Sequence, residues 1–159
     1  MGVRGCRRQQ RRRAGGIDHL SDLSDDLLVR VLELLPDTRD AVRTGALSRR
    51  WRGLWTRVPS LRLISGGKRR FRGARGAKRF LALVDDHLRH RDHKAAALDH
   101  LTISFAMDPA GQQARQQLRS RSIEAAQRWI FYASRIGVKS LDLDLTLPLS
   151  DYRRLYFFR

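Results

Sequence analysis

The 159-residue chain contains one cysteine, Cys6, which excludes an intramolecular disulfide framework and any zinc site built from several thiolates. No apolar run approaches the roughly 20 residues needed to cross a bilayer, so a membrane-spanning protein is not expected. There is no P-loop, no dinucleotide-binding glycine fingerprint and no zinc signature. Acids are missing from two whole stretches. Residues 1–16 carry Arg4, Arg7, Arg8, Arg11, Arg12 and Arg13 with no Asp or Glu. Residues 62–79 carry Arg62, Lys68, Arg69, Arg70, Arg72, Arg75, Lys78 and Arg79, again without an acid.

These two stretches explain most of the net charge of +17, which at first sight suggests a phosphate-neutralising nucleic-acid binder. Outside them the charges nearly balance. Both are rich in Gly and Arg and poor in apolar residues, a composition that cannot offset chain entropy by burial. They are therefore expected to be a disordered basic tail (1–16) and a basic flexible linker (62–79). Serine is absent before Ser21, unlike an organelle transit peptide, and Cys6 stands where myristoylation needs Ser or Thr. A nucleic-acid partner reached through tail and linker stays open.

Between them, residues 17–61 are dense in apolar side chains. Ser24 followed by Asp25 and Asp26 reads as a capped helix start. Leu27, Leu28, Val31, Leu32 and Leu35 recur at helical spacing up to Pro36. Thr38 is expected to cap a second helix, Arg39 to Leu47, and Ser48 a third, Arg49 to Trp55, in which Trp51, Leu54 and Trp55 share a face. Three short helices cannot hide so many large apolar groups, which points to a protein partner.

The strings LSDLSDDLLVRVLELLP (20–36), DAVRT (40–44) and LSRRWRGLW (47–55) resemble the plant F-box. The resemblance implies docking onto a Skp-type adaptor and, through it, the cullin scaffold of an SCF-type ubiquitin ligase. It implies adaptor-binding residues Leu23, Leu27, Val31, Leu32, Leu35, Pro36, Val42, Leu47, Arg50, Trp51, Leu54 and Trp55, the later ones shared between core and interface, with Arg49 and Arg50 at the polar rim. Ser24 stands where the family usually has proline, and Gly45-Ala46 replaces serine and a larger aliphatic residue.

In residues 80–159, Phe80, Leu81, Val84 and Leu88 form the inward stripe of an amphipathic helix. His87, His90 and His93 are expected to be solvated rather than metal-binding, with Arg89 and Arg91 repelling a cation. Leu98 to Phe105 and Val138 to Leu147 alternate as strands. Between them Ser122 and Glu124 open a helix carrying Ile123, Ala126, Trp129, Ile130 and Ala133 on one stripe, with Gly137 at its end. The phrases Leu98-x-x-Leu101-x-Ile103 and Val138-x-x-Leu141-x-Leu143 match the L-x-x-L-x-L pattern of leucine-rich repeats. Residues 127–145 are similar to the first such repeat of plant F-box proteins, whose concave solenoid face holds a target. The uncapped ending Tyr156 to Arg159 suggests truncation.

The expected fold class is mainly α with some β: an F-box followed by a short irregular α/β leucine-rich-repeat-like segment. No catalytic constellation and no cofactor site is evident. The chain is expected to be a non-catalytic substrate receptor in the nucleus or cytoplasm. The alternatives are a small basic nucleic-acid-binding protein or a truncated, dominant-negative F-box fragment without a target.

Overall fold

In the computed structural model, residues 20, 22–66, 71, 73–92, 97–106, 112–146 and 154–157 are described. The expected basic tail lies outside them. The framework is three parallel strands in sequence order, β1 (Ser60–Ile64), β2 (His100–Ala106) and β3 (Ser140–Thr146), with β4 (Arg154–Phe157) antiparallel on β3. The register carries the repeat: Leu61 lies beside Leu101 and Leu101 beside Leu141, and Leu63, Ile103 and Leu143 align in the same way. Val58-x-x-Leu61-x-Leu63 is therefore a third copy of the phrase, forty residues before the second. Sequence reading divided those residues between the end of the first unit (to 61) and the linker (from 62) and missed it.

Because strand side chains alternate, Leu61, Leu63, Leu101, Ile103, Phe105, Leu141 and Leu143 all fall on one face, and all are buried. Parallel neighbours need a crossover, and both crossovers are long helices, α1 (Gly73–Asp92) and α2 (Gln112–Ile136). Phe80, Val84 and Leu88 from α1 and Leu118, Ala125, Trp129 and Ala133 from α2 join the strand residues in one core. The strands are held end to end as well, since Pro59 O accepts from Asp99 N (2.8 Å) and Asp99 O from Ser140 N (2.9 Å). The described residues are thus mainly helical, with one four-stranded sheet among them.

The expected flexible linker is corrected by this framework. Arg62 belongs to β1, Phe71 is 3% exposed, and α1 begins at Gly73. The Arg-Gly composition hid this because, among the described residues after β1, few face inward: Ser65, Phe71, Gly76 and Ala77. A Cβ on Gly76 would lie 2.2 Å from the Phe71 carbonyl carbon, so only glycine permits this approach of the helix to the preceding chain. The second crossover is also longer than expected. Ser122 is no helix opener; it is fully buried in mid-helix, its hydroxyl donating to Leu118 O at 2.8 Å. Ile123, expected inward, is exposed. Gly137 does end the helix, at φ +71°, with Val138 N donating to Ala133 O and Gly137 N to Ser134 O.

The N-terminal unit comprises α3 (Asp25–Glu33), α4 (Thr38–Arg43), a 3₁₀ turn at Thr44–Ala46 and a 3₁₀ helix at Arg50–Arg57. Ser24 caps α3 as expected, accepting from Leu27 N. Two expected caps are corrected. Asp37, not Thr38, caps α4 by accepting from Arg39 N at 3.0 Å. No side chain caps the Arg50–Arg57 helix, so Ser48 has no such role. Thr38 works across units instead, its hydroxyl oxygen accepting from the Arg62 N–H of β1 at 2.8 Å.

A buried joint binds the helical unit to the sheet. Arg39 and Asp37 are both buried and form a forked ion pair, with Arg39 Nε at 2.8 and 3.0 Å from the two carboxylate oxygens. Arg39 Nη2 also donates to Ile64 O of β1, and its guanidinium lies 4.8 Å from the centre of the Phe71 ring. Trp55 completes the joint against His87 of α1, ring centres 5.5 Å apart.

Candidate functional site

Two apolar stripes run side by side along α3. Leu28 and Leu32 point into a core with Val29, Ala41, Trp51, Leu54, Trp55 and Val58. Leu27, Val31 and Leu34, spaced four and three residues apart, face outward at 52%, 42% and 82% exposure. Leu47, in the turn before the 3₁₀ helix, is 70% exposed. Such exposure of large aliphatic groups on a capped, well-packed helix is what a protein-docking face requires.

The candidate residues divide on this basis. Leu27, Val31 and Leu47 are exposed, while Leu23, Leu35 and Val42 are half-buried against the core. Leu32, Trp51, Leu54 and Trp55 are core residues, each at most 9% exposed. The family pattern mixes core and surface positions, and only packing separates them. Leu34, the most exposed aliphatic group of the helix, was missed by the sequence reading although it continues the Leu27–Val31 stripe. Pro36 is exposed beyond the helix. Arg50 is exposed but engaged within the unit: its Nε donates to Asp25 at 2.7 Å and its Nη2 to Leu23 O. With Arg57 bonded to Asp26 at 2.6 Å, it staples the 3₁₀ helix to the start of α3.

A second surface is the sheet face turned away from α1 and α2. It carries Arg62 beside Thr102 beside Asp142, and Ile64 beside Ser104 beside Asp144. Ser104 donates to Asp144 Oδ2 at 3.3 Å, whereas Asp142 Oδ1 finds no hydrogen-bond partner among the described residues. These partly exposed hydroxyls and carboxylates form a polar surface rich in acceptors.

The histidines do not form a site. His87 is corrected from solvated to half-buried: Nδ1 bonds Leu83 O at 2.8 Å, and Nε2 is buried without a partner among the described residues. Burial lowers its pKa below the ordinary 6.5. His90 is exposed beside Asp86, and His93 lies outside the described residues. Among the described residues no group of three His, Cys, Asp or Glu is placed to hold a metal, and no helix is long and apolar enough to cross a membrane.

No family model and no solved structure matches the chain. Its curated homologues are F-box proteins of Arabidopsis thaliana. A putative F-box/FBD/LRR-repeat protein is 38% identical over 101 residues, covering 60% of this chain and 20% of that protein. An F-box/LRR-repeat protein is 37% identical over 101 residues, covering 60% and 24%. A putative FBD-associated F-box protein is 52% identical over 56 residues, covering 33% and 12%. An alignment of 101 residues cannot be confined to the 17–61 unit, so the likeness extends beyond it. The chain spans less than a quarter of the length of these relatives.

Proposed function

We propose, from this kinship with plant F-box/leucine-rich-repeat proteins, that the chain is a non-catalytic substrate-receptor subunit acting in the nucleus or cytoplasm. It docks on a Skp-type adaptor of a cullin–RING ligase through Leu27, Val31, Leu34 and Leu47. The observation that carries this reading is the outward stripe of α3, a row of large aliphatic groups on a helix whose other stripe already fills its core. Burying one such leucine removes about 1.5–3 kcal/mol of apolar exposure, so a few suffice to anchor a partner.

The three parallel strands and their one-sided helical cover correspond to successive leucine-rich repeats, and the open sheet face with Arg62, Thr102, Ser104, Asp142 and Asp144 is the surface offered to a target. The protein's part in ubiquitin transfer is proximity, since holding the target beside the conjugating enzyme raises its effective concentration.

The test is co-purification with a Skp-type adaptor. Leu27→Asp together with Leu34→Asp should abolish capture while circular dichroism stays unchanged, because both side chains are at least half exposed. Undiminished capture by the double variant overturns the assignment. Trp51→Ala would not discriminate, since it removes core. The competing nucleic-acid reading requires affinity for RNA or DNA that falls steeply with salt.

A further inference from the structure

The open sheet face sorts its charges by strand. Its middle strand, β2, turns short side chains outward, Thr102, Ser104 and Ala106. On one side β1 sets Arg62 beside Thr102 and Ile64 beside Ser104. On the other, β3 sets Asp142 beside Thr102 and Asp144 beside Ser104. A strip of small, mostly polar groups therefore runs between a wall that carries a cation and a wall that carries carboxylates.

Arg62 and Asp142 stand in one row, two strand spacings or about 10 Å apart at the backbone. The Arg62 side chain is exposed and makes no ion pair among the described residues. Asp142 is half-buried, and its Oδ1 accepts no hydrogen bond among them. Asp144 is already engaged: it accepts from Ser104 at 3.3 Å and has Arg154 of β4 beside it in register, where Asp142 has Tyr156. The charges left to a partner are thus opposite in sign and held apart across Thr102. An extended chain laid flat along β2 turns successive side chains to opposite sides, so its neighbouring residues meet opposite walls. A purely acidic segment gains at Arg62 and is repelled at Asp142, and a purely basic one meets the reverse. Only a segment of mixed sign complements both walls.

We propose that the open sheet face selects an extended target segment in which acidic and basic residues alternate, the acid meeting Arg62 and the base meeting Asp142. This rests on the reading of that face as the target surface, and it gives the target its chemistry. Thr102 and Ser104 form the hydroxyl floor beneath the segment.

The probes are acetyl-Glu-Lys-Glu-Lys-Glu-Lys-amide and its all-Lys and all-Glu counterparts, titrated into the isotope-labelled full chain while the backbone amide resonances of Thr102 and Ser104 are followed by NMR. The alternating peptide should shift both resonances saturably and bind there about threefold or more tightly than either single-sign peptide, as expected for partly exposed ion pairs. Arg62→Glu makes both walls acidic at an exposed strand position and should pass the preference to the all-Lys peptide by a similar factor, with an unchanged melting temperature. Asp142→Asn should remove the advantage of the alternating peptide over the all-Glu peptide. The selectivity is overturned if no probe shifts Thr102 and Ser104, if a single-sign peptide binds there as tightly as the alternating one, or if Arg62→Glu leaves the order of preference unchanged. Adaptor capture is measured in parallel. Capture retained beside any of those results overturns this inference alone, whereas a chain that selects the alternating peptide and captures no adaptor supports the selectivity and refutes the docking assignment.

Discussion

Replacing Arg39 by methionine is the sharpest test of how the helical unit is fastened to the sheet. Methionine keeps much of the side-chain volume and removes the fork to Asp37, the bond to Ile64 O and the contact with the Phe71 ring. Asp37 is 3% exposed and would lose the guanidinium that forks onto its carboxylate. Removing one member of a buried pair costs about 3–5 kcal/mol, against about 5–15 kcal/mol for the whole stability of a typical domain. Asp37→Asn retains an acceptor for the Arg39 N–H cap while removing the charge, so the double variant should recover about 2 kcal/mol relative to Arg39→Met alone. Urea unfolding followed by circular dichroism and tryptophan fluorescence measures both differences. A cost below about 1 kcal/mol for Arg39→Met, the value of a solvent-screened surface pair, would refute the reasoning.

Two further outcomes follow from packing. His87 has its pKa lowered chiefly by burial, with His90 and Arg39 acting in the same direction and Leu83 O and Asp86 against it. The unfolded chain therefore takes up this proton more readily. The stability contributed by neutral His87 is present above about pH 6.5 and is lost as pH falls from there towards the lower folded-state value. His87→Phe should flatten the urea midpoint between pH 7.5 and 5; an unchanged slope would locate the effect elsewhere. Gly76→Ala should destabilise by about 1–3 kcal/mol in the same urea assay, although helix propensity alone predicts a gain of about 1 kcal/mol, because the new methyl meets the Phe71 backbone. A stabilised variant would show that this approach is not tight.

The elements were legible where a local chemical rule acts. Ser24 with two following acids marked a helix start, Gly137 a helix end, and the alternating aliphatic residues of 101–103 and 141–143 two strands. The candidate docking site was only half legible, because α3 presents two parallel aliphatic stripes of equal spacing. Nothing local to the sequence says that Leu28 and Leu32 meet Trp51 and Leu54 while Leu27, Val31 and Leu34 meet solvent. The 62–79 segment misled for the opposite reason: its composition resembles a solvated linker, yet a few inward residues, Phe71 and Ala77 among them, are enough to dock a helix.

The sequence by itself determined the helix start at Ser24, the helix end at Gly137, the strand alternation and two copies of the forty-residue phrase, since each depends on residues within a few positions or on a repeated pattern. Only the tertiary structure decided which stripe is free, that Val58 to Leu63 is the first copy of that phrase, and that Arg39, Asp37 and Thr38 join two units into one body. It also placed Asp85 of α1 against Arg128 and Trp129 of α2. These contacts pair residues far apart in the chain, and their energies depend on burial, which no local pattern records.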